Sequence, residues 1–270
     1  MQADFSRNLG LLSTEHQEAL RTSKVAVCGV GGMGGIAVEA LCRMGVGTIT
    51  IADHDVYESS NINRQLQCLQ SKMGKKKTEV IAQRLRDINP ELKVETFEAV
   101  TAQSVPQIVA NADIVINGMD CIRSSLILER EARRLRITIV DAWITPFASV
   151  FVMTPDSPHW EEFLDFPTRG RAVEEISDED VTECLRREIQ FTLSQFHSET
   201  YVEAQLVEDV LLGRRPRPSL VPVVWLSGVM MANEAMKVLT AQGTLASHWG
   251  VFYDQYEHRI AYFNPTGELR

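Results

Sequence analysis

The sequence is short of cysteine, and no two of its five cysteines, Cys28, Cys42, Cys68, Cys121 and Cys184, form a C-x-x-C pair. That spacing fits a reducing compartment, the cytoplasm, and offers no tetrathiolate zinc site. Basic residues are also in short supply, 27 against 36 acidic ones, for a net charge of −9. Such a balance argues against a general nucleic-acid binder, which carries a basic face, although a local basic groove stays open. No apolar run approaches the ~20 residues of a membrane span. The N-terminus, M-Q-A-D-F-S-R, lacks the charged region and apolar stretch of a signal peptide. There is no internal repeat and no low-complexity tract.

What the chain does have is alternation. With 44% hydrophobic residues in 270, it can build one large core, or one core with an insertion. A helix is expected within residues 1–23, with Ser13 as its cap. From 24 to 141, Val-, Ile- and Thr-rich runs at 24–29, 48–53, 93–98, 113–117 and 137–141 alternate with helical patterns at 34–45, 75–88 and 121–136. Alternation of this kind predicts a parallel sheet covered on both faces, with ligands at the carboxyl ends of its strands. Residues 147–153 read as one more strand. Residues 154–218 break the pattern with prolines, an acidic stretch at 174–180 and a basic cluster at 214–218. They read as a crossover insertion with a helix over 181–196, and as the place for substrate specificity. A long apolar helix follows from Pro222, and two strands near 249–254 and 259–264 are expected to close the sheet antiparallel.

The densest stretch runs from Val25 to Lys77. Gly29, Gly31 and Gly34 form G-x-G-x-x-G between a strand and an apolar helix, and Asp53 ends the next strand at the acid spacing of a dinucleotide fold. Alone, this turn favours a nicotinamide or flavin enzyme, with Asp53 on the ribose of the dinucleotide. The residues after Asp53 change the balance: Asn61, Arg64, Gln65 and Lys77 crowd in behind the second strand. A dehydrogenase has no use for an Arg and a Lys aimed at phosphates, whereas an enzyme attacking the α-phosphate of ATP has. The bland alternative is a solvated charged face, with Lys75, Lys76 and Lys77 a charge run at a helix start.

Taken together, N-I-N-R-Q at 61–65 with Lys77 and Asp120 at their separations resembles the adenylating superfamily of ThiF, MoeB and the ubiquitin-activating enzymes. The resemblance runs over roughly 5–153 and again over about 219–263. It implies a Rossmann-like α/β fold, doubly wound and mostly parallel, extended by antiparallel strands, as a single adenylation domain over 1–270 with the variable segment 154–218 inside it. It implies ATP and magnesium as cofactors, without zinc. Gly31, Gly32 and Gly34 would bring backbone N–H groups and a helix N-terminus to the phosphates. Asp53 would accept from the ribose hydroxyls, and Asp55 would add a polar contact. Asn61, Arg64 and Lys77 would hold the triphosphate, Gln65 would orient the reacting group, and Asp120 would bind the magnesium ion. Arg7 resembles an N-terminal arginine that reaches into the partner's nucleotide site in family homodimers.

Cys184 carries two readings. Many members of the superfamily take the acyl group as a thioester on a cysteine of the crossover segment, which is where Cys184 lies. Yet Val181, Cys184, Leu185 and Ile189 share one helical face, the pattern of a buried structural thiol. The chain also departs from MoeB- and ThiF-like sequences in lacking their two C-x-x-C pairs and a rhodanese-like tail. The expected activity is adenylation of a carboxylate, the C-terminus of a ubiquitin-like protein or a peptide, by a homodimer without membrane contact. The alternatives are a threonylcarbamoyl-adenosine dehydratase acting on tRNA, a nicotinamide-dependent oxidoreductase, and a non-catalytic partner subunit.

Overall fold

The run Lys24–Cys28 forms strand β1, and its alternating side chains divide the molecule in two: Val25 and Val27 enter one core cluster, Ala26 and Cys28 the other. A strand buried on both faces has no polar side, which is why the run reads as continuously apolar. The computed structural model describes residues 3–143 and 146–269. In chain order its strands are β1, β2 (Thr48–Ala52), β3 (Lys93–Phe97), β4 (Ile114–Asn117), β5 (Thr138–Asp141), β6 (Ala148–Met153), β7 (Val251–Asp254) and β8 (Arg259–Tyr262). They form one sheet in the order β3-β2-β1-β4-β5-β6-β7-β8. The pairs from β3 to β5 are parallel, and those from β5 to β8 are antiparallel. The expected mostly parallel, doubly wound sheet with an antiparallel extension is therefore what forms.

The helices are α1 (Thr14–Thr22), α2 (Gly32–Met44), α3 (Lys77–Ile88), α4 (Val105–Ile108), α5 (Ile122–Arg134), α6 (Trp160–Phe163), α7 (Asp178–Leu193), α8 (Ala204–Leu211) and α9 (Val221–Thr240). One cluster joins Leu41 of α2, Leu85 of α3 and Met231 of α9 to the sheet. The other joins Leu126 and Leu128 of α5, Trp160 of α6 and Cys184 of α7. Burying each such large apolar side chain contributes about 1.5–3 kcal/mol.

The ends of the helices follow local chemistry. Ser13 caps α1 by accepting from the His16 backbone N–H at 3.2 Å, and Ser177 caps α7 by accepting from Asp180 at 3.1 Å. The expected helix within 1–23 is shorter than that span: a 3-10 turn at Ser6–Asn8 precedes it, and Gly10 interrupts at φ +104°. Met1 and Gln2 lie outside the described residues. The crossover helix expected at 181–196 begins three residues earlier, at its Ser177 cap. The helix expected from 75 begins at Lys77, because Lys76 bridges to Val56 instead. The short helices α4, α6 and α8 had no periodic signal long enough to read. Among the described residues, no helix is long and apolar enough to cross a membrane.

Candidate active site

At the carboxyl end of β1 the chain turns sharply into α2. Gly29 holds φ +79° and donates its N–H to the Ala52 carbonyl at 2.8 Å, so the turn is stitched to the end of β2. Gly34, one turn into α2, is fixed by contact rather than by φ: a Cβ there would lie 1.9 Å from the Gly29 carbonyl oxygen. Only a missing side chain lets the first turn of the helix sit against the strand. Gly34 is therefore buried under the turn, while Gly31 and Gly32 face the cavity.

Asp53 follows β2 and clamps the turn. Its Oδ2 accepts from the Val30 N–H at 2.9 Å and its Oδ1 from the Asp55 N–H at 2.9 Å. An ionised carboxylate has about four acceptor positions, so two bonds leave capacity for a ligand. The chain then doubles back: Tyr57 N–H donates to the Lys75 carbonyl at 3.0 Å, and Lys77 N–H to the Asp55 carbonyl at 3.0 Å. This short ladder brings Lys77 to the start of α3 beside Asp55, with Nζ 2.7 Å from Asp55 Oδ2. The lysine side chain is 5% exposed and the aspartate half-exposed.

Residues 58–69 form a loop pinned beside the cavity by the start of α9. Trp225 of α9 donates its indole N–H to the Arg64 carbonyl at 2.9 Å, and Asn63 Nδ2 donates to the Ser219 carbonyl at 2.9 Å. Arg64 itself donates from Nη1 to the Ser60 carbonyl and to Asn63 Oδ1, both at 2.9 Å. Gln65 is buried beside Gly31, its Nε2 3.5 Å from where a Gly31 Cβ would stand, and its Oε1 has no hydrogen-bond partner among the described residues.

These groups line one cavity of about 560 Å³ at the carboxyl ends of the parallel strands. It joins Gly29, Gly31, Gly32, Asp53, Asp55, Arg64, Gln65, Lys77 and Asp120. Asp120 sits after β4 with its side chain exposed, and its carbonyl accepts from Arg217 Nη2 at 3.0 Å. Asp53, His54 and Asp55 hold their ligand atoms within 4.8 Å of one another, so anionic oxygens are concentrated on this wall. Asn61 lies outside the cavity wall, its Oδ1 occupied by the Glu58 N–H at 3.1 Å. Arg7 stands exposed in the turn Ser6–Asn8, also away from the cavity. Cys184 is fully buried on α7 and is not part of the wall. Burial pushes its thiol up to about 11, the opposite of what a thiolate nucleophile needs.

The cavity extends past Gly118 toward β5, a region the sequence reading did not single out. Asp141, 1% exposed at the end of β5, accepts from Asn117 Nδ2 at 2.9 Å, Trp160 Nε1 at 3.1 Å and the Ala142 N–H at 2.7 Å. Desolvation nevertheless pushes its carboxyl up to about 7. Glu129 of α5 and Glu188 of α7 line the same end. Burial raises Glu129 well above the usual carboxylate range, with Asp141 and two other acids adding to the rise. Burial raises Glu188 too, against the pull of Arg217 Nη1 at 2.7 Å. One signal was available for Asp141: it ends a Val/Ile strand just as Asp53 does. Glu129 had none, since an acid in an amphipathic helix reads as solvated.

Three comparisons bear on this arrangement. The chain is 34% identical over 158 residues to the SAMP-activating enzyme E1 of Haloferax volcanii, covering 57% of this chain and 58% of that protein. The crystal structure of the Escherichia coli tRNA N6-threonylcarbamoyladenosine dehydratase TcdA in complex with ATP matches with a TM-score of 0.50 and 34% identity. It covers 53% of this chain and 61% of that one. Escherichia coli MccB, crystallised with succinimide, matches more of the chain, 96% of this one and 70% of that one, with a TM-score of 0.70. At 20% identity it speaks for the fold alone. The chain spans less than two thirds of the first two proteins. The ThiF family model matches residues 5–267, and the protein belongs to the ThiF family.

Proposed function

We propose that this protein activates a substrate carboxylate with ATP. A carboxylate oxygen attacks the α-phosphorus, the bond to the β-phosphate's bridging oxygen breaks, and an acyl-adenylate and pyrophosphate result. The observation that carries this reading is Lys77: a buried ammonium, oriented by Asp55, in the cavity that also holds the helix N-terminus at Gly31 and Gly32. A hydride-transfer enzyme needs no such cation there. Phosphoryl chemistry does, because negative charge grows on the α-phosphate and on departing pyrophosphate.

The other roles follow. Gly31 and Gly32 present backbone N–H groups at the positive end of the α2 dipole. No atom outside its chain neighbours comes nearer than 3.5 Å to where a Gly31 Cβ would stand, so a phosphate can approach the backbone there. The free acceptor capacity of Asp53 suits ribose hydroxyls. Arg64 with Lys77 neutralises the phosphates, Asn61 assists indirectly by fixing the loop that carries Arg64, and the unsatisfied Gln65 Oε1 orients a donor on the reacting group. Asp120 would hold magnesium, whose charge would offset that of the phosphates. Zinc has no part in this scheme. Arg7 acts in the partner's site of a homodimer, and Cys184 is structural. The substrate of this reading is the C-terminus of a ubiquitin-like protein, or a peptide, and its location the cytoplasm; the likeness to the SAMP-activating enzyme E1 supports an activating role.

A second reading, dehydration of threonylcarbamoyl-adenosine in tRNA, draws support from the 34% identity to TcdA. ATP–pyrophosphate exchange decides between the two. The purified protein is assayed with a Gly-Gly-ending protein, a short peptide and threonylcarbamoylated tRNA. Exchange dependent on one of them identifies the substrate class. ATP binding without exchange on any overturns the catalytic reading in favour of an inactive partner subunit.

A further inference from the structure

Acidic side chains buried in this fold are paired with bases. Glu39 meets Arg43 at 2.9 Å and Arg84 at 2.5 Å, Glu188 meets Arg217 at 2.7 Å, Glu234 meets Lys237 at 2.5 Å, and Asp254 meets Arg259 at 2.6 Å. Two buried acids break the pattern: Glu129, 2% exposed, and Asp141 have no salt bridge among the described residues. Both line the same end of the same cavity. Glu129 goes further, because its Oε2 is buried and has no hydrogen-bond partner among the described residues. Leaving a carboxyl oxygen buried and unmatched costs on the order of 1–3 kcal/mol, more for a charged group. A fold that pairs its other buried acids keeps such a group where a ligand completes it.

The place of this pair in the sheet says which ligand. The glycine turn, Asp53 and Lys77 occupy the β1–β2 side of the switch between β1 and β4, whereas Glu129 and Asp141 lie beyond Gly118 on the β4–β5 side. A phosphate would find no free base on that side among the described lining residues. Arg217, which lines this end, is already committed to Glu188 and to the Asp120 carbonyl, and Arg130, next to Glu129, to Glu161. Trp143 and Trp160, with ring centroids 4.0 Å apart, wall the same end, and aromatic faces favour cations.

We propose that this end of the cavity is a specificity subsite for a cationic group, an ammonium or guanidinium, carried by the acyl part of the substrate close to the carboxylate that is activated. The proposal rests on the adenylation reading and adds to it the chemical class of the substrate. Glu129 and Asp141 would supply the acceptors, and the charge as an arriving cation displaces the proton that burial holds on them; Glu129 would discriminate, since Asp141 already accepts three hydrogen bonds.

The test uses argininamide and its uncharged isostere citrullinamide as probes, titrated calorimetrically into the full-length protein with and without saturating AMP. The wild type should bind argininamide at least tenfold more tightly. Glu129→Gln, which keeps the shape and removes the charge, should bring the two within about threefold. In ATP–pyrophosphate exchange, peptides differing only in a C-terminal Lys, Arg, Leu or Glu should rank with Lys and Arg first, and Glu129→Gln should flatten that ranking through KM. Equal binding of the two amides, no measurable binding of either, or a preference that survives in Glu129→Gln overturns the subsite. ATP affinity is measured on the same wild-type sample. Its loss would strike the adenylation reading instead, and the amide titration would still report on the acidic end by itself.

Discussion

The ammonium of Lys77 lies 2.7 Å from the carboxylate of Asp55, and the backbone N–H of the same lysine donates to the carbonyl of the same aspartate at 3.0 Å. One residue thus fixes both where the lysine starts its helix and where its charge points. The pair spans the whole β2-to-α3 loop, so its geometry depends on the ladder that brings residues 55–57 against 75–77. The aspartate is half-exposed, which makes this contact a positioning device more than a source of stability.

Lys77→Ala should therefore lose activity and keep its fold. Removing one preorganised donor to a developing phosphate charge costs about 10²–10³-fold in rate. Exchange should fall by that much while the unfolding midpoint in urea changes little. A variant that exchanges at the wild-type rate would remove Lys77 from the chemistry.

Gly34→Ala should behave in the opposite way. The new Cβ would fall 1.9 Å from the Gly29 carbonyl oxygen, and backbone cannot yield as a side chain does. Forcing α2 off β1 should destabilise by about 1–3 kcal/mol or more. Urea unfolding measures it, and an unchanged midpoint would mean that the helix and strand are not packed this closely.

Stability should fall between about pH 4 and pH 7 through the carboxyls at the far end of the cavity. Asp141 is raised from an ordinary value near 3.8 to about 7. Across that window the folded state holds a proton that the unfolded chain has released, so the contribution is complete below the lower value and lost as pH rises through the upper one. Glu129 and Glu188 shift in the same direction. Asp141→Asn should flatten the slope of unfolding free energy against pH in this window. A slope identical to the wild type would assign the dependence elsewhere.

Cysteine reactivity should follow burial rather than position in the crossover segment. Cys121 is exposed and lines the cavity, whereas Cys184 is fully buried with its thiol raised to about 11. Brief alkylation of the native protein, read by peptide mass spectrometry, should label Cys121 and spare Cys184, and ATP should slow the labelling. Cys184→Ala should cost about 1 kcal/mol of packing and leave exchange intact. Loss of a later transfer step in that variant would restore the thioester role.

How much of this was legible beforehand depends on the range of the interaction. The order of strands and helices from 24 to 141 was readable because strands buried on two faces are apolar throughout, and because alternation with helices leaves few topologies open. Helix starts came out where a cap announced them, as at Ser13 and Ser177. They were missed where the backbone had another partner, as at Lys76 with Val56. Gly31, Gly32, Asp53, Arg64, Gln65 and Lys77 could be gathered into one site because they sit near strand ends that the topology brings together. Asn61 and Arg7, gathered by the same motif, turned out to stand off the cavity wall of their own chain.

By itself the sequence determined what local pattern and spacing can carry: the winding of the sheet, the glycine turn, and the cluster of phosphate-seeking residues behind β2. Only the tertiary structure decided which charges are buried and which of those go unpaired. Glu129 and Glu131 lie two residues apart on α5. One is sealed in the cavity wall without a basic partner among the described residues, and the other pairs with Arg134 at 2.8 Å on the surface side. That difference comes from which face of the helix the sheet and the crossover segment cover. Desolvation depends on everything packed around a group, and no stretch of neighbouring residues encodes it.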